Sequence, residues 1–373
     1  MGPGGGLERA PSDNWVERDV AERPSRRRSQ ALWVLAAAML AGAAVSGCGS
    51  SVGSKSAPVD PKSLTWTKQS PTTSPAATRP VATYDLALGK VVLFGGFGNP
   101  PVAPTPQPTT GNFPPQYRND TWTYDGTTWT KESPATSPPA AEVATMAYDG
   151  AIQKVVLFEV PMGAATGETW TYDGATWTKE SPATSPELSS NRPVMAYDAA
   201  IGKLVLLSVA TWTYDGQTWT KTTAPNLLSA YEYGPLTYDA TLKKLVLYDM
   251  STTGDATTWT YDGQTWTGQP AGVSPARIFG WSMAYDAALG RTVLFGGVQY
   301  DATERDQSGS ASFNDTWTFD GHTWTQQHPT TSPTLSAQAA ALMVYDDAHN
   351  RLVLYSAEGA QDETWTYGPP SGK

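Results

Sequence analysis

The sequence is poor in the residues that build disulfide frameworks and most metal sites. Its 373 residues include one cysteine, Cys48, and three histidines, His322, His328 and His349. A single cysteine cannot form an intramolecular disulfide, and the three histidines lack the spacing of a metal-binding motif. We therefore expect neither a metal site nor a bound cofactor.

Positive charge is also scarce. The chain has 25 Lys and Arg against 35 Asp and Glu, which gives a formal net charge of −10. No block of basic residues occurs beyond residue 63. Proteins that bind nucleic acid rely on Lys and Arg to neutralise phosphates. This balance argues against nucleic acid as a natural partner.

Only one apolar run is long, and it lies at residues 31–47, after three arginines at residues 26–28. Basic, apolar and small residues in this order are the parts of an export signal. The run ends in Val45-Ser46-Gly47-Cys48, which resembles the bacterial lipobox, whose cysteine is lipidated and becomes the mature N-terminus. We predict a lipoprotein-type signal at residues 1–47 and a lipid anchor at Cys48, on the outer face of the bacterial cell membrane.

Two points about this segment stay open. The alternative to a lipoprotein is an uncleaved membrane anchor, because the apolar run approaches the ~20 residues that span a bilayer. The export route is either the general secretory route or the twin-arginine route. Residues 48–63 are rich in small, polar and proline residues, which bury too little apolar surface to become ordered, so we predict a flexible linker there.

Beyond residue 63 one pattern recurs six times. Its first part is Tyr-Asp, four variable residues, Lys or Arg, and then an apolar run; its second part is TWTYDGxTWT or a close variant. The first tryptophans of that second part are residues 122, 170, 212, 259, 317 and 365. Repeats at spacings of 42 to 58 residues indicate stacked supersecondary units and not separate domains.

Each repeat is predicted to form four antiparallel strands. The apolar run, KVVLF at residues 90–94 for example, is typical of a strand covered on both faces. The TWTY and TTWT segments alternate with period two. Asp-Gly lies between them, at Asp125-Gly126 in the first repeat, and this dipeptide is the strongest short hairpin signal. The fold class is therefore predicted to be all-β.

The two ends of the repeated region complement one another. The chain enters with LTWTK at residues 64–68, a fourth strand without the first three, and leaves with ETWTYG at residues 363–368, a third strand without a fourth. Pairing the two fragments completes a sixth unit and removes the exposed sheet edges. The sequence predicts a six-bladed β-propeller over residues 64–368, whose last blade is closed by an N-terminal strand, and a tail at residues 369–373.

An apolar strand that ends in Gly-Gly, followed by a Trp-x-Tyr strand and a second tryptophan, resembles the kelch repeat of the galactose oxidase/kelch superfamily. The glycine pair occurs at Gly95-Gly96 and Gly296-Gly297, and the remaining blades carry Glu159, Ser208, Asp249 and Ser356 near that place. The resemblance implies a kelch-type propeller. It does not carry over copper chemistry of the galactose oxidase kind, because the only cysteine belongs to the export signal.

Positions that differ between blades are the candidate functional positions, since residues repeated in every blade serve the blade. Two loops are long, at residues 97–119 and 298–314, and the first contains Tyr117 and Arg118. The residues just before each first strand also vary in type: Arg79, Glu142, Arg192, Glu232, Tyr233, Arg277, Trp281 and Gln338. Both sets are expected on one face, around the mouth of the central channel, where they would hold a polar or zwitterionic ligand; a hydrated rim without a ligand is the alternative.

The preferred hypothesis is a monomeric, non-catalytic binding or scaffolding module of the cell surface. Its partner would be a small molecule, a glycan or an envelope protein. Two alternatives stay open. One is a glycan-processing hydrolase of the propeller type that uses an acidic pair such as Glu142 and Glu232; the other is a purely structural envelope protein.

Overall fold

Six four-stranded antiparallel sheets account for most of the described part of the protein in a computed structural model. The residues that the structure describes are 63–98, 116–162, 164, 166–187, 192–224, 227, 234–250, 256–269, 272–275, 280–299, 311–335, 340–358 and 361–369. No α-helix occurs among these residues. The prediction of an all-β, six-bladed propeller is confirmed.

Each sheet is one blade, and its strands are called inner, second, third and outer in their order across the sheet. Blade 1 consists of Val81–Asp85, Lys90–Phe94, Thr121–Tyr124 and Trp129–Lys131; blade 2 of Ala141–Asp149, Lys154–Pro161, Glu168–Tyr172 and Trp177–Lys179; blade 3 of Val194–Asp198, Lys203–Leu207, Thr211–Tyr214 and Trp219–Lys221. Blade 4 consists of Leu236–Asp239, Lys244–Met250, Ala256–Tyr261 and Trp266–Gly268; blade 5 of Ser282–Asp286, Arg291–Phe295, Thr316–Phe319 and Trp324–Gln327; blade 6 of Ala340–Asp346, Arg351–Glu358, Gln361–Gly368 and Thr65–Gln69.

Two short strand pairs lie outside the blades. Phe97–Gly98 pairs with Gln116–Tyr117, and Val298–Gln299 pairs with Ala311–Ser312. Both pairs extend the connection between the second and the third strand, in blades 1 and 5.

Aspartates form the turns at one end of every blade. In blade 1 the carboxylate of Asp85, at the end of the inner strand, accepts hydrogen bonds from the amides of Ala87 and Leu88, at 2.9 and 3.0 Å. In the hairpin between the third and outer strands, Asp125 accepts the amide of Thr128 at 2.8 Å. Gly126 follows at φ +92°, a backbone conformation that glycine adopts without steric cost.

The blades form a closed ring. The inner strands of consecutive blades contact one another, and the inner strand of blade 6 also contacts that of blade 1. Blade 6 takes its outer strand from the start of the repeated region, since Thr65–Gln69 pairs antiparallel with the third strand and Trp66 lies opposite Tyr367. The ring is therefore closed by pairing between the first and the last strand of the repeated region, Thr65–Gln69 and Gln361–Gly368.

One tryptophan per blade joins each blade to the preceding one. The first large residue of each outer strand is a tryptophan, and its indole N–H donates to the hydroxyl of a threonine in the third strand of the neighbouring blade. The six bonds run from Trp66 to Thr316, Trp129 to Thr364, Trp177 to Thr121, Trp219 to Thr169, Trp266 to Thr211 and Trp324 to Thr258, at 2.8 to 3.0 Å. Through Trp66 the N-terminal strand makes the same inter-blade hydrogen bond as the other five outer strands.

The predicted export signal at residues 1–47 and residues 48–62 of the predicted linker lie outside the described residues, and Cys48 with them. Within the described residues there is no helix of the length and apolar character needed to cross a membrane.

Candidate ligand site on the loop face

The sheets have two ends with different chemistry. Because the strands are antiparallel, the connections from second to third strand and the links from outer to inner strand emerge together at one end. That end is called the loop face here and is defined by Arg79, Glu142 and Arg192. The aspartate turns and the Asp-Gly hairpins occupy the opposite end of each blade.

Three of the sequence-predicted residues lie on consecutive blades. Arg79 is two residues before the inner strand of blade 1, Glu142 is the second residue of the inner strand of blade 2, and Arg192 is two residues before the inner strand of blade 3. The inner strands of blades 1 and 2 are in contact, and so are those of blades 2 and 3. Arg79 and Glu142 are exposed, and Arg192 is half-buried.

Tyr117 brings these three residues into one group. The Glu142 carboxylate lies within interaction range of its hydroxyl, and so do the guanidinium groups of Arg192 and Arg79. Burial and the neighbouring Glu142 carboxylate raise the pKa of Tyr117, and the two arginines oppose that rise. The loop face of blades 1 to 3 therefore carries a cluster of two arginines, one carboxylate and one phenol, called the Arg79 cluster below.

Tyr117 is held by the short strand pair of blade 1. Its backbone lies opposite Phe97 in that pair, and the two rings meet edge to face with centroids 6.4 Å apart. The next residue, Arg118, donates its backbone amide to the carbonyl of Gly96 at 2.8 Å. The phenol of Tyr117 is thereby fixed on a paired backbone and not on a free loop.

The backbone of Arg79 has an unusual conformation. Five non-glycine residues among those described have positive φ. Three of them lie in the turn after the inner strand of blades 2, 4 and 6: Gln153, Lys243 and Asn350. In blades 1, 3 and 5 the same turn position is a glycine: Gly89, Gly202 and Gly290. The other two, Ala76 at +49° and Arg79 at +51°, belong to the link that leads into blade 1. A left-handed conformation costs a non-glycine residue free energy and persists only where surrounding contacts impose it.

Those contacts come from both neighbouring blades. On the blade 1 side, Thr78 exchanges two backbone hydrogen bonds with Phe97, at 2.8 and 2.9 Å, and Arg118 donates to the carbonyl of Ala76 at 3.0 Å. Gly96 is required for this approach, since a Cβ there would lie 2.7 Å from the carbonyl oxygen of Thr78.

On the blade 6 side, the Asp362 carboxylate accepts the amide of Ala76 at 2.8 Å and the hydroxyl of Ser74. The hydroxyl of Tyr355 also donates to Asp362, at 3.2 Å. The link is therefore anchored before and after Ala76, and its backbone presents Arg79 in one fixed direction.

Trp281, another predicted site residue, is not part of this cluster. Trp281 is only 8% exposed and packs edge to face on Tyr248 of blade 4, with ring centroids 5.3 Å apart. It fills the junction between blades 4 and 5 and presents little surface to a ligand. Glu232, Tyr233, Arg277 and Gln338 lie outside the described residues, as do residues 99–115 and 300–310 of the two long loops.

One blade-specific residue is buried and separate from the cluster. Glu159, in the second strand of blade 2, is fully buried, and neither of its carboxyl oxygens has a hydrogen-bond partner. Burial, and to a smaller extent the charge of Glu168, raise its pKa to about 8. Glu168 lies opposite Glu159 in the sheet and takes the available partners, Lys179 at 2.7 Å and the Trp170 indole at 3.2 Å.

No group of three or more His, Cys, Asp or Glu side chains within the described ranges is placed to hold a metal ion. His349, for example, bonds through its Nδ1 to Asp346 at 2.7 Å, at the end of the blade opposite to the loop face.

Known structures share the fold. The structure of YjhT superposes with a TM-score of 0.53 at 11% sequence identity, covering 80% of this chain and 95% of that one. A structure of SapL1 lectin in complex with alpha methyl fucoside gives a TM-score of 0.50 at 11% identity, covering 79% of this chain and 97% of that one. At such identities the likeness establishes the fold alone. No protein-family model and no curated protein matches the chain.

Proposed function

We propose that the protein is a non-catalytic binding module of the bacterial cell surface that takes its ligand on the loop face. The observation that carries this proposal is the Arg79 cluster, in which Arg79, Glu142, Arg192 and Tyr117 from three parts of the chain converge. Charged and aromatic groups that meet on one face, and that are not repeated in the other blades, are the features of a binding site.

The hydrogen bonds that hold the link around Arg79 favour a ligand site over a channel rim that only contacts water. A side chain that only faces water needs no defined direction, whereas the link that carries Arg79 is anchored to blade 1 by Phe97 and to blade 6 by Asp362. A polar group that is already in place loses less conformational entropy when a ligand binds. The SapL1 lectin, which shares the fold, has been solved in complex with alpha methyl fucoside, which is compatible with a glycan or another small molecule here.

The cellular context belongs to the same proposal. The apolar run at residues 31–47 followed by Cys48 supports export and a lipid anchor, and the resemblance of the repeats supports a kelch-type propeller. The N-terminal strand pairs with the third strand of blade 6 and completes that blade, which supports a monomer because the third strand does not remain as an exposed edge. The protein would be held at the membrane by its N-terminus and would carry the propeller on a tether.

Glycan hydrolysis is the second candidate, favoured by the proximity of Tyr117 and Glu142, since a tyrosine beside a carboxylate is one known arrangement of a nucleophile with its base. One observation places it behind binding. The pKa of Tyr117 is raised and not lowered, and a nucleophilic phenol benefits from the opposite shift. The acidic pair of Glu142 and Glu232 stays a prediction, because Glu232 is outside the described residues.

Binding screens against glycans and metabolites with residues 49–373 test the proposal. We expect Arg79→Ala and Arg192→Ala to weaken binding of the ligand found by tenfold or more, because each removes a charged contact. Both variants should keep a free energy of unfolding within about 0.5 kcal/mol of the wild type, as surface substitutions do. Arg291→Ala, which removes the same charge from the opposite end of blade 5, is the matched control and should bind normally. Unchanged binding in both loop-face variants would place the site elsewhere.

A further inference from the structure

We infer that a cavity at the opposite end of blade 6 binds the carboxylate of a small organic acid, in the place that an aspartate fills in the other five blades. The cavity has a volume of about 260 Å³ and is lined by Thr67, His349, Arg351, Thr366, Gly368 and Pro369. It lies at the end of the blade that carries the aspartate turns, away from the Arg79 cluster. The inference therefore does not depend on the function proposed for the loop face.

Blade 6 differs from the other blades at this end because it is built from two parts of the chain. In blades 1 to 5 an Asp-Gly hairpin joins the third strand to the outer strand, whereas in blade 6 the third strand ends at Gly368 and the outer strand comes from the start of the repeated region. In blade 1 Tyr124 of the third strand lies opposite Val91 of the second. In blade 6 Tyr367 lies opposite Leu352 in the same register. The position that follows the aromatic residue is an aspartate in five blades and Gly368 in blade 6.

That aspartate lies beside the basic residue at the start of the second strand. In blade 5 the Nη1 of Arg291 is 3.6 Å from the Oδ2 of Asp320. The register gives the same neighbours in blades 1 to 4: Lys90 and Asp125, Lys154 and Asp173, Lys203 and Asp215, Lys244 and Asp262. In blade 6 the two positions are also adjacent, since a Cβ on Gly368 would lie 3.2 Å from the Cβ of Arg351. Arg351 therefore has no carboxylate at the position where its five equivalents have one.

The Arg351 guanidinium has donors left for a ligand. Its Nη2 donates to the carbonyl of Gly126 in blade 1 at 2.6 Å, and its Nε lies 3.8 Å from Asp346, which is too far for a hydrogen bond. Within the described residues the buried Nε–H has no acceptor. Arginine has five N–H donors in a planar arrangement that matches a carboxylate. The bond to Gly126 thus leaves this side chain able to hold an anion in the cavity that it lines.

His349 is a second basic group that occurs at this place in blade 6. In blades 1 to 4 a leucine or isoleucine of the same turn packs on the hairpin glycine of the next blade: Leu88 on Gly174, Ile152 on Gly216, Ile201 on Gly263 and Leu242 on Gly321. In blade 6 the ring of His349 lies on Gly126, where a Cβ would be 2.4 Å from the ring Cε1. Its Nδ1 bonds to Asp346 at 2.7 Å, which leaves Nε2 as the ring nitrogen that can bond to a ligand.

Two threonines add uncharged groups to the cavity. Thr67 and Thr366 lie opposite each other in the sheet, and the hydroxyl of Thr366 accepts the side-chain amide of Gln69 at 2.9 Å. Hydroxyl groups both donate and accept hydrogen bonds, so they suit a hydroxyl group of the ligand. The cavity is several times larger than the roughly 30 Å³ that one water occupies in the liquid, and a whole hydroxylated acid of a few carbon atoms fits it.

Asp346 favours a ligand with one negative charge. Its buried carboxylate contacts His349 and lies near Arg351. In blade 5 the equivalent Asp286 lies opposite Arg291 in the sheet, and the hairpin aspartate adds a second carboxylate there. A single carboxylate in the cavity gives blade 6 the same balance, whereas a phosphate monoester carries between about −1.5 and −2 and its additional charge is repelled by Asp346.

Acids and their amides are matched probes, because they differ in charge and little in shape. Lactate against lactamide, and propionate against propionamide, would be titrated into the purified protein at constant pH and ionic strength while the histidine ring signals are followed by NMR. The chain has three histidines, so the His349 signal is assigned by its loss in His349→Leu, and His322 and His328 report unspecific effects. We expect both acids to shift the His349 signal and to bind at least tenfold more tightly than their amides, and inorganic phosphate to bind more weakly than lactate.

Three results of this titration would overturn the inference. They are equal affinity for an acid and its amide, a His349 signal that neither acid moves at tens of millimolar, and phosphate binding that is tighter than lactate binding.

Variants connect the acid to the missing aspartate. Gly368→Asp supplies the carboxylate from the chain itself and should weaken lactate binding at least tenfold, whereas Gly368→Asn, of the same shape without the charge, should weaken it by no more than about threefold. Arg351→Gln should lose the preference for acid over amide, and Arg291→Gln in blade 5 should keep it. Equal affinities of the two Gly368 variants would show that the acid does not replace an aspartate. Arg79→Ala should bind lactate normally, and loss of lactate binding in that variant would move the acid to the loop face and overturn the inference.

Discussion

At the scale of single residues, the repeated tryptophans pack the blades together, whereas Glu159, which occurs in blade 2 alone, is expected to make stability depend on pH. Each outer-strand tryptophan, Trp219 for example, is buried on both sides: it stacks on Tyr214 of its own blade and meets Phe158 of the preceding blade edge to face. Its indole N–H is satisfied by Thr169 at 2.9 Å. Because both faces of the indole ring are packed and its N–H already has an acceptor, such a tryptophan offers a ligand neither a free surface nor a free donor.

Glu159 differs from these tryptophans because its buried polar atoms have no hydrogen-bond partner. In the same strand position the other blades have Gly95, Ser208, Asp249, Gly296 and Ser356. The hydroxyl of Ser208 donates to the carbonyl of Glu187 at 2.8 Å, and Asp249 accepts the amide of Gly234 at 3.2 Å, so in blades 3 and 4 this position ties down the link before the inner strand. Glu159 is buried without such a bond, which is why its neutral form is favoured.

The stability of the protein should therefore depend on pH through Glu159. A free glutamate has a pKa of 4.5 and Glu159 in the fold has one of about 8. Between these values the folded protein keeps a proton that the unfolded chain has released, so the free energy of unfolding falls as the pH rises. We expect Glu159→Gln to be about as stable as the wild type near pH 4.5 and more stable at pH 8, by on the order of 3 to 5 kcal/mol.

Urea unfolding of both proteins across this pH range measures the difference. The control is Glu187→Gln, whose carboxylate is 63% exposed and pairs with Lys221 at the surface; its difference from the wild type should stay within about 1 kcal/mol at every pH. A Glu159→Gln difference that does not change between pH 4.5 and 8 would mean that Glu159 is ionised in the fold.

At the scale of elements, the segment from Thr65 to Arg79 has two roles. Its first part completes blade 6, and its second part, the link around Ala76, carries Arg79 between blades 6 and 1. The closing strand of the ring and the best-anchored residue of the candidate site thus lie on one continuous segment. The candidate site is complete only when the ring is closed.

Removing the closing strand should therefore destabilise the whole propeller. Trp66, 1% exposed, contacts Phe295 and Tyr367 with centroids 4.8 and 4.9 Å away and donates to Thr316. We expect a deletion of residues 49–68 to lower the free energy of unfolding by at least about 3–5 kcal/mol, the usual cost of losing a buried tryptophan, because the deletion also exposes the edge of blade 6.

A deletion of residues 49–62, which leaves the strand in place, is the matched control and should melt close to the wild type. Differential scanning calorimetry of the two truncated proteins makes the comparison. Equal melting temperatures would show that the pairing of Thr65–Gln69 with blade 6 contributes nothing to stability.

At the scale of the whole molecule, the repeat determined what could be predicted. Tryptophan alternation, Asp-Gly hairpins and apolar runs are local signals that recur six times, so blade number and strand order follow from them, as does the partner of the LTWTK fragment at residues 64–68. The position of Arg79, Glu142 and Arg192 at one end of consecutive blades follows from the same repeat, because each precedes or begins an inner strand.

Contacts between blades could not be predicted in this way. The proximity of Tyr117 and Glu142 brings a loop of blade 1 next to blade 2, and the two-residue strands that hold Tyr117 are too short to show a period. Trp281 was expected at the channel mouth but packs on Tyr248, in space that Gly234 leaves open: a Cβ on that glycine would lie 2.9 Å from the indole nitrogen. Such complementarity depends on pairs of residues from different repeats, and the repeat pattern does not show which residues pair.

The proposed attachment of the whole molecule to the membrane would depend on Cys48, and substitution of this residue tests the proposal directly. One thioether-linked lipid and an acyl chain on the new N-terminus would supply the two hydrophobic groups that stable anchoring needs. We expect Cys48→Ser to move the protein from the membrane fraction to the soluble exported fraction, while Ser50→Ala, two residues away, stays at the membrane. Fractionation after a salt wash, with a metabolic lipid label, measures both. A Cys48→Ser protein that remains in the membrane fraction would instead identify residues 31–47 as an uncleaved anchor, because that run is long enough to hold the chain in the bilayer without a lipid.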